Sequence, residues 1–553
     1  MKKKQWHIIL GLAALVLIYF LLIQKFNWQW DVTSDKRYTL SKAGKEVVKN
    51  TGKPTNIIVF LKGDFPAYFK KLEAETKNLL ADFKEQNKQI DFVFINPNEQ
   101  GEEYIGQLIK KGIEPSRISV KKSGKLEQIL IFPWAVVKQG ESEILVPLLS
   151  NSYSASPEEQ VQKSIENLEY NFANALYLLQ QKKDKKIAVL KGNGELADIY
   201  IADFLKSLGE KYRLAPFTLD SIEKNPQKTL KGLKFFDLLI MAKPTEKFSE
   251  KEKYALDQYL MSGGKMLMLI DGVKAHKDTL MYHGKTYALN AELNLTDFLF
   301  NYGLRINPQL VKDIVAAPVV LKVGETGNRP QLEQFPWFYS PLIRPEQDNP
   351  IGKNVDMVLT DFPSPMDTLK NQLKKTVLLK TSPKTQLVGV PVEINFSEIG
   401  KKPDLNKFRD GSQILGVLLE GKFKSAYQGR VKPFSIENPK EEKQNAMIVI
   451  SDGDIIKNQV DKNRPLELGF DKWSKMKYDN KLFLMNAVDY LLDSSGLISL
   501  KNKKIQFVLL DQNKAIAEQR KIQLVNLLFP LFVIALFTYL FHLYRKKKYT
   551  KRF

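Results

Sequence analysis

Two apolar runs, each abutting a cluster of basic residues, bracket this chain and constrain it more than any other feature. From Trp6 to Ile23 there is no charge, and with Gln24 the run over 6–24 is just long enough to cross a bilayer as a helix rising about 1.5 Å per residue. Lys2, Lys3 and Lys4 precede it. A cleavable signal peptide begins the same way but needs small residues after its apolar core. Here Gln24-Lys25-Phe26-Asn27-Trp28-Gln29-Trp30 follows, bulky throughout, with Trp28 and Trp30 suited to anchoring at the interface. The run reads as an uncleaved span.

The second run, Leu524 to Tyr544, is apolar over 21 residues and meets Arg545-Lys546-Lys547-Lys548 at once. A buried core helix of that length is rarely apolar on every side, so a second span at 524–544 is expected, with a local kink at Pro530. Both basic clusters adjoin apolar spans. The positive-inside rule then predicts a two-pass inner-membrane protein with both termini cytoplasmic and the segment from about Asp31 to Lys521 periplasmic.

The net charge of +22 raises the question of nucleic acid. Nine basic residues lie at the two tips, and the remaining lysines are scattered among Glu, Asp and Asn. No Arg-rich cluster interleaved with aromatics makes a groove for a strand, so no nucleic-acid partner is expected. The chain has no cysteine, which removes disulfides, thiolate metal sites and cysteine nucleophiles together.

Between the spans the pattern is α/β. Asn56-Ile-Ile-Val-Phe-Leu61 reads as a strand, 66–88 as an amphipathic helix and Ile90-Asp-Phe-Val-Phe-Ile95 as a second, parallel strand. A short helix near 102–111 and strands at 118–121, 127–137 and 143–149 follow, so 53–150 has a thioredoxin-like outline without a CxxC pair. The helix at 158–181 carries Val161, Ile165, Leu168, Phe172, Ala175 and Leu179 on one seam, suited to packing between domains. From Lys186 strand and helix alternate as in an open doubly wound sheet. Ser249 and Glu252 have capping-box spacing, and Gly263-Gly264 ends the helix they begin. The first part of this domain spans 186–315. Residues 316–367, rich in Pro, Asn and Gln, read as an irregular insertion, after which 368–500 returns to the sheet.

Gly192-Asn193-Gly194-Glu195-Leu196-Ala197 fits the G-x-G-x-x-A dinucleotide pattern between a strand and a helix, with Asp220 beyond the next strand. Any doubly wound domain needs a compact first turn, and nicotinamide cofactors are not expected outside the cytoplasm. The turn Gly192–Glu195 is therefore noted as a possible ligand or partner turn, and no cofactor is expected. Gly284-Lys285-Thr286 is no ATPase loop, because Thr279 stands where the first glycine belongs. His276 and His283 are the only histidines outside the expected spans and their edges; seven residues apart in a polar loop, they fit no HExxH or triad pattern.

Asp31-Val-Thr-Ser-Asp-Lys-Arg-Tyr-Thr-Leu-Ser41 after the first span resembles the GldG family of auxiliary ABC-transporter proteins of gliding bacteria. So do Ser164–Tyr170, Gly192–Leu196, Asp257–Asp271 and Asn486-Ala-Val-Asp-Tyr-Leu491. The resemblance implies a thioredoxin-like domain followed by an amidotransferase-like (flavodoxin-like) α/β domain of the kind found in intraflagellar-transport proteins. It also implies a multi-span permease and a cytoplasmic ATPase as partners, GldF and GldA in that family, and ties to gliding motility and type IX secretion. Amidotransferases rely on a catalytic cysteine that this chain lacks, so no catalytic role carries over. The expected function is a non-catalytic accessory subunit, in contact with membrane lipid, whose outer domains bind another envelope component. The alternatives are an extracytoplasmic solute receptor for the permease and a carboxylate-dependent hydrolase.

Overall fold

The computed structural model describes residues 39–122, 125–149, 156–180, 183–326, 329–399, 403–493, 496–502 and 518–549. The expected first span at 6–24 and the opening Asp31 motif up to Tyr38 lie outside the described residues. The chain divides into two units, Met1–Lys503 and Lys504–Phe553.

The first unit begins with helix α1 (Lys42–Lys49), capped by the Ser41 hydroxyl, which accepts from the Gly44 N–H at 2.9 Å. Strand β1 (Thr55–Val59), helix α2 (Ala67–Gln86) and strand β2 (Ile90–Phe94) follow. β1 and β2 pair in parallel, and α2 is the crossover such a pair requires. Helix α3 (Glu102–Lys110) precedes a hairpin of β3 (Ser116–Lys122) and β4 (Lys125–Ile131). Strands β5 (Trp134–Gln139) and β6 (Ser142–Pro147) complete a sheet of order β2-β1-β5-β6, with β5 antiparallel to both neighbours. The single strand expected over 127–137 is two strands, because Pro133 cannot donate to a ladder.

Helix α4 (Pro157–Gln180) buries Val161, Ile165, Leu168, Phe172 and Ala175. It is tied at both flanks: Glu169 accepts from the Ser41 N–H at 2.7 Å, and Asn167 accepts from the Asn354 side-chain amide at 2.7 Å.

Strand β7 (Lys186–Lys191), helix α5 (Asp198–Lys211), strand β8 (Arg213–Thr218), helix α6 (Pro226–Leu233), strand β9 (Leu238–Ala242), helix α7 (Glu250–Met261) and strand β10 (Lys265–Leu269) then alternate. Short elements follow: β11 (Val273–Lys274), α8 (Lys277–His283), β12 (Lys285–Asn290), α9 (Thr296–Asn301), β13 (Leu304–Ile306) and β14 (Gln309–Asp313). The chain continues through β15 (Ala316–Thr326), β16 (Arg329–Ile343), β17 (Val358–Leu359), β18 (Met366–Thr368), β19 (Lys374–Lys380), β20 (Thr385–Gly389), β21 (Val392–Asn395), β22 (Ile414–Lys424) and β23 (Glu442–Ile450), and closes with α10 (Asn480–Leu492).

The central sheet places β8, β7, β9, β10 and β23 side by side and parallel, with β22 antiparallel to β23. Both faces are covered, which is why its strands read as unbroken apolar runs. Ile187, Val189, Leu238, Ile240, Leu267 and Ile448 pack against α5 and α10, while Ala188, Leu190, Leu239, Met241, Met266 and Met447 pack against α7 and α9. The alternation is the two-residue period of a strand. The capping box on α7 is present, with Ser249 and Glu252 each bonding the other's backbone.

Residues 316–367 are not the irregular insertion that their composition suggests. β15 and β16 form a long antiparallel ribbon, and β16 also pairs β17. Pro318, Pro330, Pro336 and Pro341 sit in the ribbon. A narrow ribbon tolerates proline wherever the missing N–H would point away from its partner. Val319, Trp337 and Tyr339 bury themselves with Leu280, Ala288, Leu310 and Ile394 in a second small core.

The second unit is helix α11 (Gln519–Tyr549), with Pro530 inside it. Over Gln519–Lys547 it is the one helix among the described residues long and apolar enough to cross a membrane, and its apolar side chains are exposed, Phe537 by 71%.

Candidate functional site

In an open parallel sheet, ligands bind outside the carboxyl ends of the strands, where the strand order reverses. That point lies here between β7 and β9, and the residues just beyond the strand ends meet there. Gly192–Glu195 follow β7, Lys243 follows β9, Asp271 lies two residues past β10, and Asp452 and Asp454 follow β23.

Lys243 is held in the left-handed backbone region at φ 55° immediately before Pro244, a strained position for a side chain with a Cβ. Its N–H donates to the Leu269 carbonyl at 2.9 Å, which docks the end of β9 on β10. Its amine lies 3.1 Å from an Asp271 oxygen and also pairs with Asp454. Asp271 in turn accepts from the Gly453 N–H at 2.5 Å. A side chain at position 453 would collide with Lys243, so glycine there permits the close approach. Asp452, fully buried, accepts from the Asp454 N–H at 2.8 Å and from the Asp361 N–H at 3.0 Å. Asp361 arrives from the segment after β17 and pairs with Lys277 at 2.7 Å, so this segment lies over the strand ends.

Burial alone would push the Lys243 amine down; the charges of Asp454 and Asp271 outweigh it and hold the amine well above its usual range. Asp454 is subject to burial too, yet Lys243 and Lys457 bring it below the usual carboxylate range. Burial, then the charges of Asp454 and Asp271, push Asp452 well up. An amine so firmly ionised is no nucleophile, since attack needs the neutral form. The cluster is built as a charged lock at the place where a ligand would enter. The lysine supplies the positive charge that a metal would bring to such carboxylates. Among the described residues no group of three or more His, Cys, Asp or Glu side chains is arranged to hold a metal ion.

The turn Gly192–Glu195 lies beside this lock and is packed by its own chain. The Asn193 carbonyl accepts from the N–H groups of Thr245 and Glu246, at 2.9 and 3.0 Å, and the Thr245 hydroxyl donates to the Gly194 carbonyl at 3.0 Å. A Cβ at Gly192 would collide with Asp220 and Thr218, and one at Gly194 with Thr245. Both glycines have positive φ, 108° and 74°. Asp198 opens α5 and pairs with Lys191 at 2.7 Å. The Glu195 carboxylate accepts from the Asn193 N–H at 2.9 Å, so one of the turn's backbone donors is already taken by the turn's own side chain. Asn193 Oδ1 and Glu195 Oε1 are buried without a hydrogen-bond partner among the described residues, and burial raises the Glu195 carboxyl.

The histidines are not brought together by their spacing. His276 stands exposed at the N-terminal end of α8, within range of the Lys243 and Asp454 charges, and His283 ends the same helix, also exposed; the polar loop expected there is this helix. Burial and the Lys243 charge lower His276. Gly284 is the left-handed residue that stops α8 before β12, at φ 71°.

The Lys243, Asp271 and Asp454 triplet was not singled out from the sequence. Its members are far apart in the chain, and each alone looks like a turn residue after a strand. A usable signal exists: three buried strands are each followed by Lys or Asp within one to four residues, and parallel strands deliver such ends to one edge.

Comparison with known proteins gives three results. A family model described as an ABC-type uncharacterized transport system matches residues 184–487, and a model for a domain of unknown function matches residues 34–138. An uncharacterized protein of Borreliella burgdorferi is 22% identical over 447 residues, covering 77% of this chain and 80% of its own length. The solved mmIFT52 N-terminal domain is similar over 56% of this chain and 97% of its own, at 14% identity and a TM-score of 0.31.

Proposed function

The chain belongs to the ABC-type uncharacterized transport system family, and we propose that within it the chain is a non-catalytic, membrane-held subunit that binds another envelope component. Family membership supports an accessory role beside an ABC transporter and association with its components. What carries the finer reading is the filled carboxyl edge. Lys243, Asp271 and Asp454 occupy with internal ion pairs the crevice in which a doubly wound enzyme would hold its ligand.

In this reading the first sheet is thioredoxin-like and the central sheet amidotransferase-like. Residues 6–24 and α11 make two spans, both termini are cytoplasmic, and the first unit is periplasmic. The permease and ATPase are supplied by other chains, GldF and GldA in the family that the sequence resembles, with gliding motility and type IX secretion as the process served. Proline inside α11 supports packing against other helices, because a freed backbone carbonyl in lipid needs a protein partner.

The test is a pull-down from mild detergent with the permease tagged. Replacing Leu524–Tyr544 by an unrelated polyleucine span should keep the protein in the membrane and weaken its recovery. Equal recovery of the exchanged protein would reduce this span to an anchor and assign the contact to the first unit.

A further inference from the structure

The opposite, amino edge of the central sheet is open where the carboxyl edge is filled. A groove of about 450 Å³ lies below the starts of β9 and β10, lined by Lys185, Lys234, Asp237, Gly264, Lys265 and Asp493 among others. A second hollow of about 260 Å³ shares Lys185, Leu492 and Asp493 with it. Lys443 reaches the rim, its side-chain carbon 3.3 Å from where a Cβ on Gly263 would stand, and the Lys440 charge bears on Lys234.

The carboxylates here are already engaged. Asp237 pairs with Lys185 at 3.1 Å and accepts from the Lys186 N–H at 2.9 Å. Asp493 accepts from the N–H groups of Gly496 and Ile498 at 2.9 and 3.0 Å. Lys265 donates to the Leu491 carbonyl, at the end of α10. That leaves the amines of Lys234, Lys440 and Lys443 with no ion pair or hydrogen bond among the described residues. Desolvation in the groove, and then the neighbouring Lys440 charge, bring Lys234 below the usual lysine range. An anion seated between these amines would remove that repulsion.

We propose that this amino-edge groove is an anion site that takes a phosphate group, held between the ammonium groups of Lys234, Lys440 and Lys443. Phosphate suits it because a single anionic centre offers at least two strong acceptor oxygens, in a monoester or a diester alike, to amines approaching from different directions, which flexible lysines reach as point charges. The phosphate belongs either to a soluble solute or to a phospholipid headgroup. The inference goes beyond the accessory-subunit reading and does not depend on it.

The experiment uses the full chain in a non-ionic detergent. One arm titrates inorganic phosphate against chloride at matched ionic strength. The other titrates short-chain phosphatidylglycerol against phosphatidylcholine. Binding is read by calorimetry in wild type, K234Q, K234Q/K443Q and the remote control K370Q. Saturable binding in either arm, weakened tenfold or more by K234Q/K443Q, less by K234Q alone and not by K370Q, supports the site, and the responding arm identifies the source. The three substituted residues, Lys234, Lys443 and Lys370, are exposed, so melting temperatures should not move. No binding in either arm, or binding that the substitutions leave unchanged, overturns the proposal.

Discussion

The ε-amine of Lys501 lies 4.3 Å from the centre of the Tyr170 ring and donates to the side-chain oxygen of Asn486. Three distant pieces meet there: the connecting helix α4, the closing helix α10 and the turn Leu497–Asn502 that ends the first unit. The amine is buried, and burial, opposed by the Asp489 charge, lowers it to about 7. The last turn before the chain leaves the folded unit is thus fastened by a group that charges near neutral pH.

This fastening makes stability depend on pH with a defined sign. In the unfolded chain the lysine titrates at about 10.4. Between about 7 and 10.4 the folded state binds fewer protons, so stability rises with pH through that window, and below about 7 the whole penalty applies. Methionine at 501 removes the titration but also leaves Asn486 unmet, a cost independent of pH. Thermal melting of the full chain in detergent should therefore show K501M gaining on wild type as pH falls from 9 to 6, by roughly 2–3 kcal/mol. Parallel melting curves across that range would rule out the buried charge.

Much of the fold could be read from local chemistry, and the exceptions share one cause. The capping box at Ser249, the apolar runs of β9 and β10, and the Gly263-Gly264 stop are written within a few residues, and position 264 lies against the Tyr259 ring. The ribbon β15–β16 was misread because proline is a loop signal in composition, whereas here it is a ribbon residue. Lys243 and Lys501 were missed because a buried lysine differs from a surface lysine only through its tertiary partners. For Lys243 those partners follow β10, its neighbour in the sheet, and β23, one strand further on but far along the chain.

The carboxyl-edge lock should be strongly cooperative. Replacing Lys243 with methionine leaves Asp271 and Asp454 buried against each other, which costs on the order of 3–5 kcal/mol when a buried partner is removed. K243M should lower the melting temperature sharply, and K243M/D454N should recover part of the loss by neutralising one carboxylate. Additive effects of the two substitutions would show that the ion pair contributes no coupling.

The Gly192–Glu195 turn gives a separable test. Alanine at 194 meets Thr245 and must also hold φ near 74°, so two penalties combine. G194A should destabilise the protein, and G194A/T245A should regain the steric part while keeping about 1 kcal/mol of backbone cost. Full recovery in the double variant would mean that the backbone conformation at 194 imposes nothing.

Topology is testable with unusual cleanliness because the chain has no cysteine, so each introduced thiol is the only one. In the topology proposed above, the basic run after Tyr544 is cytoplasmic and the first unit periplasmic, as the positive-inside rule predicts for a span flanked in this way. Lys228 is exposed on the first unit, and Thr550 lies beyond α11. In intact spheroplasts a membrane-impermeant maleimide should label K228C, while T550C should react only after permeabilisation. Labelling of T550C in intact spheroplasts would put the basic tail outside and reverse the orientation. Protection of K228C until permeabilisation would put the first unit in the cytoplasm, and with it any phosphate bound at the amino edge of the sheet.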